Sequence, residues 1–345
     1  MIQRLKHLLQ ETTETSLEAV KSTVKRGTIG NPENQAQAQE VLNIIPPHTV
    51  PHPRLRLIEK ARLSIRRGVS FHSIMIQRSE ASRHLNIKDP VWRLDRKKVG
   101  YRFVDSLAFR RPQTPKTLKS FGEIDPRPGI VIKPVRSTGA RGVFAIVDTN
   151  KIIDIKRGKT LTSWEQVEKR VAKLLSSSTR TIKDQWLIEE LLVDEHGDLA
   201  RDLKFFAFYG KVLFVQEIKR FPTFKATFWD RNGVPIVTGK PAELDDGYGI
   251  SQEMIDTIEK ISAEIPSPFV RIDTYRLNDN EIVFGEFTPR PGQFEEFNLD
   301  TDRLLGEEWL LAENRILNDA LDGKKFTAFN DAIAPRKETV KPSTT

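Results

Sequence analysis

The sequence predicts an α+β protein, and three stretches carry that expectation. Residues 269–292 read as a β-hairpin, with two β-rich runs around Asp279-Asn280. Residues 129–147 read as strand, glycine-bearing loop, strand. Residues 163–175 open with a Ser-x-x-Gln capping box and keep Val167, Val171, Leu174 and Leu175 on one side, the pattern of a helix laid over a sheet.

In chain order, residues 1–27 have the spacing of an amphipathic helix, and the polar run 27–39 reads as a linker or a second weak helix. Pro46 to Pro53 reads as an extended proline-rich segment, so His48 and His52 are unsuited to a metal despite their spacing. From about 54 to 120 the pattern is mostly helical, and residues 54–67 combine Leu57, Ile58, Ala61 and Ile65 at helical spacing with a basic face. Trp186 to Leu192 and the run from Arg201 to Val215 read as strands, and another helix is expected near 251–264. Asp245-Asp246 fits a solvated turn, and the end of the chain after about 330 reads as a frayed tail.

The hairpin forces two carboxylates together. If Asp279 and Asn280 form the loop, Asp273 falls opposite Glu286 and Arg271 opposite Thr288, all on one face. Opposed side chains sit roughly 4.5–5.5 Å apart at Cβ, where two ionised carboxylates repel unless a cation or a shared proton intervenes. A divalent metal resolves this; an exposed hairpin with both acids in water is the plain alternative. A three-residue loop breaks the pairing.

Lys133 is a lone cation in an apolar strand, followed by a loop, 136–142, with two glycines, two hydroxyls and two arginines. That composition suits backbone amides and charges folded over phosphates. A lysine snorkelling from an edge strand is the alternative.

Taken together, these residues resemble the ATP-grasp superfamily, and more narrowly its teichuronopeptide-biosynthesis (TupA-like) branch. The resemblance covers roughly residues 90–310. It implies an ATP-grasp fold, two α+β subdomains sandwiching ATP, with a reduced and mostly helical N-terminal region. The implied boundaries are 1–53 for an N-terminal helix and linker, 54–120 for a helical lobe, 121–192 for the lid subdomain, 193–330 for the C-terminal subdomain with the metal site, and 331–345 for the tail. ATP would be held by Lys98, favoured over Lys97, with Lys133, by Ser137, Thr138, Gly139 and Gly142 of the flap, and by Lys204. Glu189, Glu190 and Leu192 would recognise adenine and ribose. Asp273, Glu286 and Thr288 would bind Mg2+, Thr288 standing where most ATP-grasp ligases have Asn. Arg271 and Lys204 would serve catalysis. The implied activity joins a carboxylate to an amine through an acyl phosphate, in cell-surface polysaccharide or teichuronopeptide-type synthesis. A phosphotransferase with a hydroxyl acceptor, or a nucleotide- or glycan-binding module with little turnover, are the alternatives.

At 345 residues with 38% hydrophobic content, the chain can bury sizeable cores. Zero cysteines exclude disulfides, thiolate nucleophiles and cysteine zinc sites. A net charge of +8 invites a nucleic-acid reading, but no nucleic-acid-binding module occurs, so no nucleic acid is expected. An acidic substrate plus an amine are the expected partners, with peripheral membrane association through the basic 54–67 face; the oligomeric state is left open. No apolar run reaches the roughly 20 residues of a membrane helix, and a cytoplasmic protein is expected.

Overall fold

Helices come first along the chain and two antiparallel sheets follow. The computed structural model describes residues 1–65, 69–114, 120–135, 137, 139–177, 182–240 and 247–335. These fall into two compact units, one of residues 1–84 with 297–308 and one of residues 85–296 with 309–345. The Asp245-Asp246 turn and the last ten residues of the tail lie outside the described residues. Among the described residues no helix is long and apolar enough to cross a membrane.

The first unit holds α1 (Ile2–Thr23), α2 (Pro32–Ile44), α3 (His52–Lys60) and α4 (Phe71–His84). The polar 27–39 run is largely helical, not a linker, because Asn31 accepts a hydrogen bond from Asn34 N at 3.1 Å and Pro32 occupies the first turn. Val20 and Val24 of the α1 end, Ala38, Leu42 and Ile45 of the α2 end, and Ile58 of α3 form its core. The proline-rich segment is not extended: Pro47–Thr49 is a 3-10 turn and His52 begins α3. The N-terminus of α4 is met by Asp302, whose Oδ1 accepts from His72 N at 2.8 Å.

In the second unit α5 (Lys97–Ser106) precedes a five-stranded sheet of β1 (Ile130–Pro134), β2 (Phe144–Asp148), β3 (Lys151–Asp154) and β4 (Lys159–Leu161), completed after α6 (Trp164–Leu175) by β5 (Trp186–Glu190), in the order β4-β3-β2-β1-β5. Val167, Val171 and Leu174 of α6 cover its Ile130, Ile132, Phe144, Ile146 and Trp186 face. The expected capping box does not form. Ser163 makes no side-chain cap, and Gln166 instead accepts from Thr162 N at 3.1 Å.

The second sheet comprises β6 (Arg201–Ala207), β7 (Val212–Lys219), β8 (Lys225–Asp230), β9 (Val270–Arg276) and β10 (Ile282–Thr288), in the order β10-β9-β6-β7-β8. Between β8 and β9 lies α7 (Gln252–Ala263), and α8 (Leu299–Leu321) and α9 (Thr327–Ile333) end the described chain. Leu203, Phe205, Ile272, Phe284 and Phe287 on one face of this sheet share a core with Phe103 and Val104 of α5, Ile255 and Ile258 of α7 and Phe329 of α9. Alternation therefore presents Lys204, Arg271, Asp273, Glu286 and Thr288 on the opposite face.

Two ties join the sheets. Arg110 O accepts from Phe284 N at 2.8 Å, and Gln113 O accepts from Glu190 N at 2.9 Å, so the 110–113 strap pairs with both. At the other tie, Gly158 at the β3–β4 turn has φ +59, and a Cβ there would lie 2.6 Å from Pro222 O in the β7–β8 loop.

The β9–β10 loop has three residues, not two. Leu277 N donates to Glu281 O at 2.9 Å, and Asn278 Oδ1 accepts from Asn280 N and Glu281 N at 3.0 and 2.9 Å, which fixes Asn278 inside the turn. That loop would separate Asp273 from Glu286, but a bulge between Phe284 and Glu286 moves the register by one and restores the pair. Gly285 is the extra residue, and a Cβ on it would sit 2.9 Å from Asp273 O. We therefore expect Gly285→Ala to destabilise the fold by about 1–3 kcal/mol, the usual cost of overpacking. A thermal melt matching wild type would show that the bulge tolerates a side chain.

Candidate active site

Glu189, on β5, is the most heavily engaged carboxylate of the first sheet. Val131 pairs with Glu189 and Lys133 with Leu187, so Lys133 lies diagonally beside Glu189 on the face away from the α6 core. Lys133 Nζ forms an ion pair with Glu189 Oε2, Lys97 Nζ lies 3.3 Å from Oε1, and the Tyr101 hydroxyl donates to Oε1 at 2.7 Å. Burial pushes the Glu189 pKa up, but Lys133 and then Lys97 outweigh it and hold it at about 2. Burial first and the neighbouring Lys133 charge second bring Lys97 down to about 8. Burial and the Glu189 charge raise the Tyr101 pKa, so the phenol stays a donor.

These contacts revise two expectations. Lys133, a lone cation within its own apolar strand, finds its partner in Glu189, one strand away. Lys97, not the favoured Lys98, joins the cluster, for Lys98 is exposed on α5 while Lys97 is half-buried. Glu190 is committed elsewhere: its carboxylate accepts from Arg110 Nη2 at 3.1 Å and from Gln113 N at 3.0 Å, fastening the strap. Leu192 is buried, and its carbonyl accepts from Ala200 N at 3.1 Å.

On the second sheet, Arg271 grips Asp273 with two hydrogen bonds, Nε to Oδ1 at 2.6 Å and Nη2 to Oδ2 at 2.7 Å. Lys204 pairs with Asp273 across β6 and β9 and brings Nζ to 3.5 Å from Oδ2. Burial opposes ionisation of Asp273, but Arg271 and then Lys204 hold its pKa below the usual carboxylate range. Across the bulge Glu286 is treated differently. Its side chain is open to solvent yet ringed by protein, and this burial first, then the Asp273 charge, raise its pKa. Among the described residues no side chain hydrogen-bonds or ion-pairs with it. Thr288 Oγ1 accepts from Arg271 Nη2 at 3.2 Å.

The two groups share one electrostatic environment, since Glu286 acts on Lys97 and Lys97 on Glu286. Lys240, absent from the sequence reading, belongs there too: burial chiefly lowers it to about 8, with Glu296 opposing and Arg271 adding. Its signal was weak, a lone lysine before a glycine- and aspartate-rich turn. In the β1–β2 loop Ser137 Oγ donates to Arg141 O at 2.6 Å, and Gly139 and Gly142 have φ of +63 and +77. Thr138 lies outside the described residues.

Asp273 and Glu286 fit a divalent cation as hard-oxygen donors, Glu286 as a carboxylate with no side-chain hydrogen bond or ion pair among the described residues. Among the described residues no group of three acid or imidazole side chains could hold a metal, so phosphate or water oxygens would complete the shell.

An antiparallel sheet whose strand lysine and helical lysine face a paired Asp and Glu on a second antiparallel sheet is the arrangement of an ATP-grasp protein. The chain belongs to the TupA-like ATPgrasp family, whose profile matches residues 76–310. No curated protein matches the sequence significantly. Similar solved structures include D-alanine–D-alanine ligase from Bacillus anthracis complexed with ATP, 14% identical with a TM-score of 0.34 over 70% of this chain and 65% of that one. The ATP-grasp ligase PsnB complexed with minimal precursor is 12% identical, with a TM-score of 0.34 over 65% and 62%. VanG D-Ala:D-Ser ligase from Enterococcus faecalis is 13% identical, with a TM-score of 0.35 over 70% and 60%. The chain thus spans less than two thirds of the length of these three ligases.

Lys133→Met should cost about 1–3 kcal/mol in urea unfolding, less than a fully orphaned buried charge because Lys97 and Tyr101 still hold Glu189. The sign with pH follows from Glu189, whose pKa falls from 4.5 to about 2 on folding. Its contribution is complete above pH 4.5 and is lost as pH falls toward 2. Lys133→Met should flatten that acid limb; an unchanged limb would refute the pairing.

Proposed function

We propose that this chain is an ATP-dependent ligase that activates a carboxylate for capture by an amine. The observation that carries the reading is the Asp273–Glu286 pair, backed by Arg271 and Lys204 and coupled to the Lys97–Glu189–Lys133 cluster. In such a reaction a substrate carboxylate oxygen attacks the γ-phosphorus of ATP, the bond to ADP breaks, and an acyl phosphate forms. The amine nitrogen then attacks the acyl carbon, phosphate leaves, and the nitrogen loses a proton. The difficulty is charge, so catalysis rests on neutralisation and positioning.

In this proposal Lys97 and Lys133 exchange Glu189 for nucleotide phosphates, and Ser137, Thr138, Gly139 and Gly142 cover them with backbone and hydroxyl donors. Lys98 keeps at most an outer role, being exposed. Leu192 and the chain around Glu189 and Glu190 border the adenine and ribose. Asp273 and Glu286 would hold Mg2+, with Thr288 beside them, and the ion would supply positive charge to the phosphate oxygens. Arg271 would stabilise the transferring phosphoryl group, with Lys204 supporting it. As part of the same proposal, membership of the family supports synthesis of a cell-surface polysaccharide or teichuronopeptide-type polymer, from an acidic substrate and an amine in the cytoplasm.

The test is magnesium-ATP with pools of uronic acids, acidic peptides and amines, followed by ADP release and product mass. Loss of water between acid and amine supports ligation; phosphate retained in the product without need for an amine overturns it. Glu286→Gln should lower turnover at least about tenfold with folding intact, because it removes charge but keeps shape. Asp273→Asn should lower it as much and also cost stability, because Arg271 loses its anion. Wild-type turnover in both would sink the metal assignment. As pH rises through about 8, Lys97 loses its charge, and affinity for a non-hydrolysable ATP analogue should fall. Lys97→Arg should remove that step in calorimetric titration.

A further inference from the structure

The first four turns of α1 bury nothing. Residues 1–15 are all exposed, and Ile2, Leu5, Leu8 and Leu9 keep 67%, 56%, 49% and 61% of their surface in water. At about 100° per residue, Ile2, Leu5 and Leu9 share a stripe with Ser16 and Val20, and Leu8 lies beside it. The far half of that stripe is covered, since Ser16 and Val20 are buried and Val20 joins the core with Ala38 and Leu42 of α2. The near half continues in water. Single exposed apolar residues are ordinary, but three on one stripe with a fourth beside it mark a contact surface.

Charge selects the occupant. Arg4 and Lys6 fall on the two flanks of the stripe; Glu11, seven residues on from Arg4, lies beside it, and Glu14 and Glu18 fall on the far side of the helix. Residues 1–84 carry 13 Lys and Arg against 7 Asp and Glu. The hydroxyls bordering the stripe are satisfied internally: Thr12 donates to Leu8 O at 2.7 Å, Thr13 to Leu9 O at 2.8 Å and Ser16 to Thr12 O at 2.7 Å. Their protons need no water when the stripe leaves it. Pairing with a second copy over roughly 20 Å of helix would bury well under the roughly 1,200 Å² at which specific interfaces begin. A lipid surface needs no matching partner: apolar side chains enter the headgroup boundary, flanking cations reach anionic headgroups, and acids face water.

We propose that the exposed half of α1 is an interfacial anchor that docks the protein on anionic lipid surfaces. The ligase reading is independent of it. The test is co-sedimentation of the full chain with sucrose-loaded vesicles of phosphatidylcholine mixed with phosphatidylglycerol, beside vesicles of phosphatidylcholine alone. Wild type should bind the mixed vesicles at least about tenfold more tightly than the neutral ones, and added salt should weaken it. The double variant Leu5→Gln/Leu9→Gln should bind at least about tenfold more weakly, with an unchanged melt because neither residue is buried. Arg4→Gln/Lys6→Gln should lose the preference for anionic lipid. Equal binding by Leu5→Gln/Leu9→Gln, no binding by wild type, or a sedimentation-velocity dimer that this variant abolishes in place of vesicle binding would each overturn the proposal.

Discussion

The two-pronged grip of Arg271 on Asp273 is the contact from which the second sheet's exposed chemistry follows. A buried aspartate without it would take up a proton or distort the sheet. With it, Asp273 stays ionised, Thr288 is drawn to the same guanidinium at 3.2 Å, and Lys204 completes a cationic flank at 3.5 Å. Glu286, among the described residues, has no side-chain ion pair of its own and feels these cations, with Lys97, only at a distance. Two cations and two carboxylates balance formally, yet both cations lean toward one carboxylate, and that asymmetry leaves one hard-oxygen group available to an incoming cation.

The first sheet solves the opposite problem. Two lysines, 97 and 133, are brought together away from bulk water, and a single glutamate one strand over keeps them compatible. Glu189 is therefore the anion that both lysines share. Under the proposed function, a nucleotide would meet cations already gathered and would have to displace a carboxylate held by both. Such an arrangement trades some affinity for a site that stays folded without its ligand.

Much of this was legible in the residues, by routes of uneven quality. Counting outward from a two-residue turn pairs Asp273 with Glu286, whereas the chain reaches the same pair through a three-residue turn and a bulge whose effects cancel. The evidence for the bulge was present in the pattern: Phe284 and Phe287 are both large and apolar at odd spacing, with Gly285 between them, so both can reach one core only if an extra residue intervenes. The Lys133–Glu189 pair was not legible, because strand order places β5 beside β1 and nothing local to either strand specifies that neighbour. Lys97 and Lys98 differ only by the phase of α5, which is set by how its Phe103 and Val104 pack on the second sheet. Glu190 reads as a nucleotide contact because residues 186–192 resemble the family's strand-to-hinge segment; its role in fastening the 110–113 strap depends on a segment some 80 residues earlier.

The strap and the Gly158 approach to Pro222 also have a mechanical meaning. A plate fastened at two separate places retains one easy motion, a roll about the line through both fastenings. At Gly158 backbone meets backbone with no side chain to yield, so that end behaves as a bearing, while the strap, held by two hydrogen bonds and the Arg110 ion pairs, behaves as a flexure. Any rearrangement of the first sheet against the second must therefore keep clear of Pro222 O at Gly158 or part the hydrogen bonds of the strap.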